Sequence, residues 1–98
     1  MKFALKGPFK DNVYNLMGKA GYHFLKKDEV KSEIIFVRPP RGYPRFHIYL
    51  KVEGDNLIFN LHLDQKKPIY KGATAHSGEY DGELVEKEIE RIKIKYGF

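Results

Sequence analysis

Two runs of alternating residues, joined by a short turn, constrain the fold of this chain more than any other feature of its sequence. Residues 45–64 read RFHIYLKVEGDNLIFNLHLD, with an apolar side chain at every second position on either side of the turn. Strict alternation is typical of a half-buried β-strand. Residues 53–56 contain the glycine and the Asn and Asp that tight turns favour. The sequence therefore predicts a β-hairpin over residues 45–64.

The two faces of the predicted hairpin differ in chemistry. A two- or four-residue loop pairs Val52 with Leu57 and, further out, His47 with His62. One side, the apolar face, then carries Phe46, Ile48, Leu50, Val52, Leu57, Phe59, Leu61 and Leu63. The other side, the polar face, carries Arg45, His47, Tyr49, Lys51, Ile58, Asn60, His62 and Asp64. The apolar face is predicted to contribute most to the core, and the polar face is where a functional site is expected.

Shorter patterns before the hairpin predict further strands and a first helix. Alternation favours a short edge strand over residues 1–6, and the EIIFVR sequence at 33–38 is rich in strand-forming residues. Residues 22–26 are another candidate strand. Apolar residues at helical spacing predict a helix that is capped by Asp11 and closed by Gly21.

A second helix is predicted from Gly82, with Asp81 as its cap. Its apolar face comprises Leu84, Val85, Ile89, Ile92 and Tyr96. Glu83 and Lys87 are spaced to attract each other on its surface. Because two amphipathic helices can cover one face of a small sheet, residues 1–98 are predicted to form a single α+β domain. Its antiparallel sheet has three to five strands, with two helices packed on one face and the order β-α-β-β-β-α.

Charge is distributed unevenly along the chain. Residues 1–71 carry 14 Lys/Arg and seven Asp/Glu, a net charge of +7, whereas residues 72–98 carry four and six, a net charge of −2. The basic part would attract polyanions such as RNA. The chain has no cysteine, which excludes disulfides and thiolate metal sites, and no apolar stretch long enough to span a membrane. With no signal-peptide pattern at its start, the chain is predicted to be cytoplasmic.

Basic and aromatic residues near the hairpin are candidates for RNA binding. Lysine and arginine neutralise phosphates, and exposed tyrosines stack on unpaired bases. The predicted RNA-binding residues are Arg38, Arg41, Tyr43, Arg45, Tyr49, Lys51, Lys66 and Lys67. A solvated surface without a ligand is the alternative interpretation of the same charges.

Histidines on the polar face are candidates for catalysis. His47 and His62 are predicted to be direct cross-strand neighbours whose imidazoles can touch, and Asp64 lies diagonal to His47. Histidine titrates near neutrality and suits general acid–base chemistry. With His47 as base or acid, His62 as its complement, and Arg45 or Lys51 on the phosphate, such a site could cleave RNA without a metal or other cofactor. The alternative is a set of polar residues on a solvated or partner-covered sheet.

The segment after the hairpin, residues 65–82, has no clear period and is rich in polar residues. Loops of this length are often functional. It is predicted either to fold over the polar face, adding His76 and Glu79 to the site, or to be a plain connection. A further alternative is a metal site formed by His62, Asp64 and His76, although their spacing matches no metal-binding motif.

Parts of the chain resemble the HicA-type mRNA interferase toxins, which have a double-stranded-RNA-binding-domain-like fold. The similar stretches are KAGY at 19–22, HIY at 47–49, the glycine-containing turn and His62. The resemblance implies a helix, three antiparallel strands and a helix, a role in a toxin–antitoxin system, and a catalytic residue at His47. The chain departs from the family at residues 45–46, where Arg-Phe replaces Gly-Ser.

These observations leave several classes of function open. The leading hypothesis is a small basic RNA-binding domain with a possible ribonuclease activity at His47 and His62. The alternative is a non-catalytic protein-interaction module or homodimer, whose sheet face or edge strand binds a partner. A metal-dependent enzyme is the third hypothesis. The sequence does not decide whether the protein is an enzyme.

Overall fold

The computed structural model describes residues 1–65, 78, 79 and 82–98, with only the backbone at 78 and 79. Its strands are β1 (Lys2–Leu5), β2 (His23–Asp28), β3 (Glu33–Arg38), β4 (Arg45–Glu53), β5 (Asn56–Asp64) and β6 (Gly78–Glu79). Its helices are α1 (Val13–Lys19) and α2 (Glu83–Lys95). The strands form an antiparallel sheet in the order β1-β5-β4-β3-β2, and β6 also pairs with β5.

The α+β class predicted from the sequence is confirmed, but the order of elements differs from β-α-β-β-β-α. The described elements run β-α-β-β-β-β-β-α. One additional strand is β2, at the candidate position after the first helix, and the other is the two-residue β6. The edge strand predicted at residues 1–6 is β1, which pairs with β5. No helix in the described part of the chain is long and apolar enough to cross a membrane.

The predicted hairpin and its register are confirmed. β4 and β5 pair Val52 with Leu57 beside the turn and His47 with His62 further out. The loop has two residues, of which only Gly54 has a positive φ, at 62°. A positive φ at the first central position is the pattern of a type II′ turn, which favours glycine there. Because this loop sets the register, it also determines which side chains share a face.

The apolar face of the hairpin lies in the hydrophobic core. Its buried side chains form one cluster with residues from β1, β3 and both helices. The cluster consists of Leu5, Leu16, Met17, Ala20, Tyr22, Phe36, Ile48, Leu50, Leu57, Phe59, Leu61, Leu63, Val85, Ile89 and Ile92. Phe46 packs against it, whereas Val52, beside the turn, is 53% exposed. The core was therefore predicted correctly for all but one residue of the apolar face.

Helix α1 begins one residue later than predicted. Asn12, and not Asp11, is the N-cap, because its side-chain oxygen accepts a hydrogen bond of 2.9 Å from the backbone N–H of Asn15. Asp11 forms an ion pair with Lys19. Both residue types cap helices well, so the local pattern alone does not choose between them. The predicted end of the helix is confirmed at Gly21, whose φ of 87° suits glycine.

Helix α2 buries a slightly different stripe from the one predicted. Its N-cap is Gly82, and Asp81 lies outside the described residues. Val85, Ile89 and Ile92 are buried as expected, but Leu84 is 54% exposed. Leu84 lies about 100° around the helix from Val85, which places it outside the stripe. Buried Glu88 lies inside the stripe, so the predicted helix face was wrong at these two positions.

Candidate functional site

Pairing of β4 with β5 brings five side chains of the polar face together. Arg45, His47 and Tyr49 alternate along β4, while His62 and Asp64 alternate along β5. Arg45 lies opposite Asp64, and His47 lies opposite His62. Directly opposed residues share a face, with Cβ atoms about 4.5–5.5 Å apart. We call His47, His62 and Asp64 the histidine cluster.

Asp64 connects the members of the histidine cluster. Its Oδ2 lies 3.0 Å from Nδ1 of His47, within hydrogen-bond distance. Its Oδ1 lies 3.4 Å from Nε2 of His62. Nε of Arg45 is 3.8 Å from Oδ2. One carboxylate thus faces two imidazoles and one guanidinium.

Three aromatic rings pack together at the histidine cluster. The ring of Tyr49 stacks on that of His47 with 4.9 Å between centroids, and lies 5.4 Å from that of His62. The two imidazole centroids are 4.9 Å apart. On the same face, β3 contributes Ile35 opposite Tyr49 and Val37 opposite His47, and both aliphatic residues are buried. The rings therefore lie beside apolar side chains.

Burial lowers the pKa of both imidazoles below the ordinary value of 6.5. His62 is 6% exposed, and desolvation lowers its pKa to about 4 in spite of the attraction from Asp64. Desolvation also lowers the pKa of His47. The hydrogen bond and charge of Asp64 oppose that shift, whereas the charges of Arg45 and Lys26 add to it. Both imidazoles are therefore neutral near pH 7, a form that accepts protons or binds metals.

The structure places the predicted metal-binding residues only in part. His62 and Asp64 lie together, while His76 is outside the described residues. The structure brings His47 beside His62 and Asp64. One potential ligand atom from each member of the histidine cluster lies within 4.8 Å of the other two. In the sequence, the histidine cluster is indicated by the cross-strand register of the hairpin and not by the spacing of its three residues along the chain.

Some predicted RNA-binding residues surround the histidine cluster. The guanidinium of Arg45 lies over the ring of Tyr43, 4.8 Å from its centroid. Tyr49 is half-buried, and Arg41 and Lys51 are exposed. Positive and aromatic groups therefore occupy one end of the hairpin and its polar face. Their binding to RNA stays a prediction.

Several other predicted site residues lie outside the described part of the chain. Lys66, Lys67 and His76 are among them. Glu79 is described only as backbone, which pairs with Leu63 in the β5–β6 ladder. The prediction that the segment after the hairpin completes the site therefore stays a prediction.

A second polar network, which the sequence analysis did not predict, contains Arg38. Its guanidinium donates two hydrogen bonds to Glu88, of 3.0 and 2.9 Å. Arg91 donates two more, of 2.8 and 2.9 Å, and the hydroxyl of Tyr22 donates one of 2.6 Å. Arg91 also donates to the carbonyl oxygen of Ala20. A glutamate on the apolar stripe of α2 was the sequence signal that could have revealed this network.

Comparison of the chain with protein-family models, with curated proteins and with solved structures found no match. The resemblance to the HicA-type toxins therefore stays a prediction.

Proposed function

We propose that this protein is a small basic RNA-binding domain that holds single-stranded RNA on the polar face of its sheet. The observation that supports this most is half-buried Tyr49 at the centre of a sheet face with an exposed lysine at each edge. RNA-binding proteins commonly stack unpaired bases on aromatic side chains. The proposal takes both helices to pack on the apolar face, which agrees with their buried residues belonging to the core there.

One row of side chains crosses the whole sheet. It consists of Lys26, Ile35, Tyr49, Asn60 and Lys2, each paired with the next on the neighbouring strand. Paired residues share a face, and neighbouring strands are about 4.8 Å apart, so the two lysines stand roughly 19 Å apart. Both lysines are exposed. A strand of RNA with a base at the central ring would therefore pass a cation at each edge of the sheet.

Positive charge also surrounds the histidine cluster. Arg45 and Lys26 are both close enough to His47 to lower its pKa. Lys51, two residues beyond Tyr49 on the same face, is exposed. Neutralisation of phosphates by such side chains supplies much of the affinity of RNA-binding proteins. The basic character of the chain is thus concentrated around an aromatic centre.

Fluorescence anisotropy of a labelled single-stranded RNA over a series of salt concentrations tests this proposal. We expect log K to fall linearly with log salt, with a slope of about −0.7 per phosphate contacted. Lys26→Ala and Lys51→Ala should each weaken binding and reduce the slope by about one phosphate. Lys95→Ala removes the same charge from α2 and is the matched control.

The control should bind RNA like the unmodified protein. An absence of RNA binding even in dilute buffer would contradict the proposal. Equal losses in all three lysine variants would contradict it as well, since they would indicate attraction by net charge without a defined face.

Cleavage of the bound RNA is a second candidate function, favoured by the contact between Asp64 and His47. A carboxylate hydrogen-bonded to one imidazole nitrogen orients the ring, which reactive histidines require. We expect His47→Ala to abolish cleavage of a labelled RNA. His23→Ala removes an exposed imidazole from β2 and should cleave normally. Normal cleavage by a folded His47→Ala variant would contradict this second function.

The β2 edge of the sheet gives less support to the alternative function, a protein-interaction module or homodimer, than the polar face gives to RNA binding. The edge strand β2 carries Lys26, Lys27 and Asp28, and its register shifts between Phe24 and Lys26. Charged side chains and a bulge on an edge strand hinder pairing with another chain. A stable dimer in sizing chromatography, with no affinity for RNA, would favour this alternative.

A further inference from the structure

We propose that His47, His62 and Asp64 form a binding site for one divalent transition-metal ion, with Zn²⁺ as the first candidate. One ligand atom from each residue lies within 4.8 Å of the other two. The three residues belong to adjacent strands joined by a two-residue loop, so the backbone holds them in fixed register. No second group of this kind occurs among the residues that the structure describes.

The histidine cluster needs only small side-chain movements to accept an ion. Oδ2 of Asp64 lies 3.0 Å from Nδ1 of His47, and Oδ1 of Asp64 lies 3.4 Å from Nε2 of His62. In a tetrahedral site with bonds of about 2.0–2.2 Å, neighbouring ligand atoms are roughly 3.3–3.5 Å apart. The Asp64–His62 separation lies in that range, and the Asp64–His47 separation is a few tenths of an ångström below it. Rotation of an imidazole about its χ2 angle can bring the remaining pair together without moving the backbone.

The ligand types select a transition metal over Mg²⁺ or Ca²⁺. Two imidazoles and one carboxylate are a common ligand set for Zn²⁺ and Fe²⁺, whereas Mg²⁺ and Ca²⁺ prefer oxygen ligands throughout. Three protein ligands would leave at least one coordination position for water or a substrate oxygen. The site is therefore of the open kind that metal-dependent enzymes use.

The two imidazoles lie in a largely desolvated part of the sheet face. A metal ion binds the neutral imidazole and competes with protons for it. The side chains of His47 and His62 are 14% and 8% exposed, and buried Val37 lies opposite His47 on β3.

Arg45 adds an affinity for anions to the site. Its Nε lies 3.8 Å from Asp64, and its guanidinium rests over the ring of Tyr43. The single negative charge of Asp64 would lie against three positive charges, two on the divalent ion and one on this guanidinium. A phosphate oxygen at the open coordination position would meet both positive groups. The site therefore suits a metal ion together with a phosphate group.

The use of this metal in catalysis rests on the proposed RNA binding, whereas metal binding itself does not. Metal-bound water would lose a proton to solvent and attack phosphorus as hydroxide. The new P–O bond would form as the bond to the leaving sugar oxygen breaks, and that oxygen would take a proton from water. The reaction consumes one water and needs no protonated imidazole.

Titration of the chelator-treated full chain with Co²⁺ tests the site, because the visible absorption of bound Co²⁺ reports its coordination. We expect saturation at one ion per chain and displacement by one equivalent of Zn²⁺. The melting temperature should rise with added Zn²⁺, since a ligand that binds only the folded state stabilises it.

Substitutions then identify the ligands. His47→Gln, His62→Gln and Asp64→Asn should each weaken Co²⁺ binding by more than about 100-fold, because loss of an outer-shell partner alone costs 10–100-fold. His23→Gln, which removes an exposed imidazole from β2, is the matched control. His76→Gln should leave the affinity unchanged, which separates this site from the His62, Asp64 and His76 alternative.

Failure of the unmodified protein to bind one Co²⁺ would overturn the proposal, and this result depends on no variant folding correctly. Binding that needs His76 but not His47 would overturn it too. Anisotropy with labelled RNA in excess chelator separates the two proposals. RNA binding that persists without metal supports the proposed function, whatever the outcome of the Co²⁺ titration.

Discussion

Two carboxylates in this protein each connect several polar side chains, but their partners are of different kinds. Glu88 is 3% exposed and accepts five hydrogen bonds, of 2.6 to 3.0 Å, from Tyr22, Arg38 and Arg91. Asp64 faces the two imidazoles of the histidine cluster at 3.0 and 3.4 Å. Both carboxylates contact side chains from segments that are distant in the sequence.

The difference between them lies in whether the partners can change state. A guanidinium stays charged at any physiological pH, so the ion pairs of Glu88 are permanent. A neutral imidazole can bind a metal ion or contact a substrate through the same nitrogen that takes up a proton at lower pH. The Glu88 network therefore holds α2 against β3 and the start of β2. The histidine cluster, by contrast, contains side chains that can bind a metal ion or contact a substrate.

Loss of the carboxylate at Glu88 should have the largest effect on stability. We expect Glu88→Gln to lower the free energy of unfolding by about 3–5 kcal/mol, because it leaves two guanidiniums without their counter-ion. Urea unfolding followed by circular dichroism measures this. Glu90→Gln changes an exposed residue of the same helix and should stay within about 0.5 kcal/mol. Similar losses in both variants would contradict a structural role for the network.

Lowering the pH should reduce the free energy of unfolding in two steps, the first caused by His62 and the second by Glu88. His62 has a pKa of about 4 when folded and about 6.5 when unfolded, so the unfolded chain binds more protons between those values. Stability should therefore fall, on the order of 2–3 kcal/mol, as the pH drops through this range. Burial acts to raise the pKa of Glu88, but hydrogen bonds from Arg91, Arg38 and Tyr22 outweigh it and lower the pKa below 4.5. The contribution of Glu88 should be lost only below about pH 4.5.

Urea unfolding at a series of pH values checks both steps. His62→Gln should show a smaller loss between about pH 6.5 and pH 4 and keep the loss at lower pH. If the loss of stability between about pH 6.5 and pH 4 were unchanged in this variant, groups other than His62 would be its cause.

Asp64→Asn should cost much less stability than Glu88→Gln. The asparagine keeps one oxygen to accept from an imidazole, and we expect a loss of about 1 kcal/mol. Co²⁺ binding should nevertheless be lost in the same variant. A loss of stability as large as that of Glu88→Gln, measured by urea unfolding, would assign Asp64 a structural role like that of Glu88.

The smallest effect is expected at the exposed pair of Glu83 and Lys87. Their charged atoms are 3.1 Å apart, as the helical spacing predicts, but both side chains are more than two-thirds exposed. Lys87→Ala should change the free energy of unfolding by no more than about 0.5 kcal/mol. Thermal unfolding measures this. A larger change would contradict the expectation that an ion pair this exposed contributes little to the free energy of unfolding.

Sequence reasoning succeeded where the signal was local. The alternation over residues 45–64 and the turn at Gly54 predict the register, and hence the pairing of His47 with His62. It was less successful where contacts join distant elements. The sequence did not predict that the guanidinium of Arg38 binds Glu88, 50 residues away. Leu84 was assigned to the core because apolar character does not show on its own which side of a helix meets the sheet.

The sequence by itself determined the hairpin, its two faces and the neighbours within the histidine cluster, because a period of two and a two-residue turn are properties of adjacent residues. Only the tertiary structure decided that β3 places buried Val37 opposite His47 and buried Ile35 opposite Tyr49, and that the carboxylate of Asp64 approaches both imidazoles. Burial and charge pairing depend on which distant segments meet. Burial and charge pairing in turn set the pKa of an imidazole and its affinity for a metal ion.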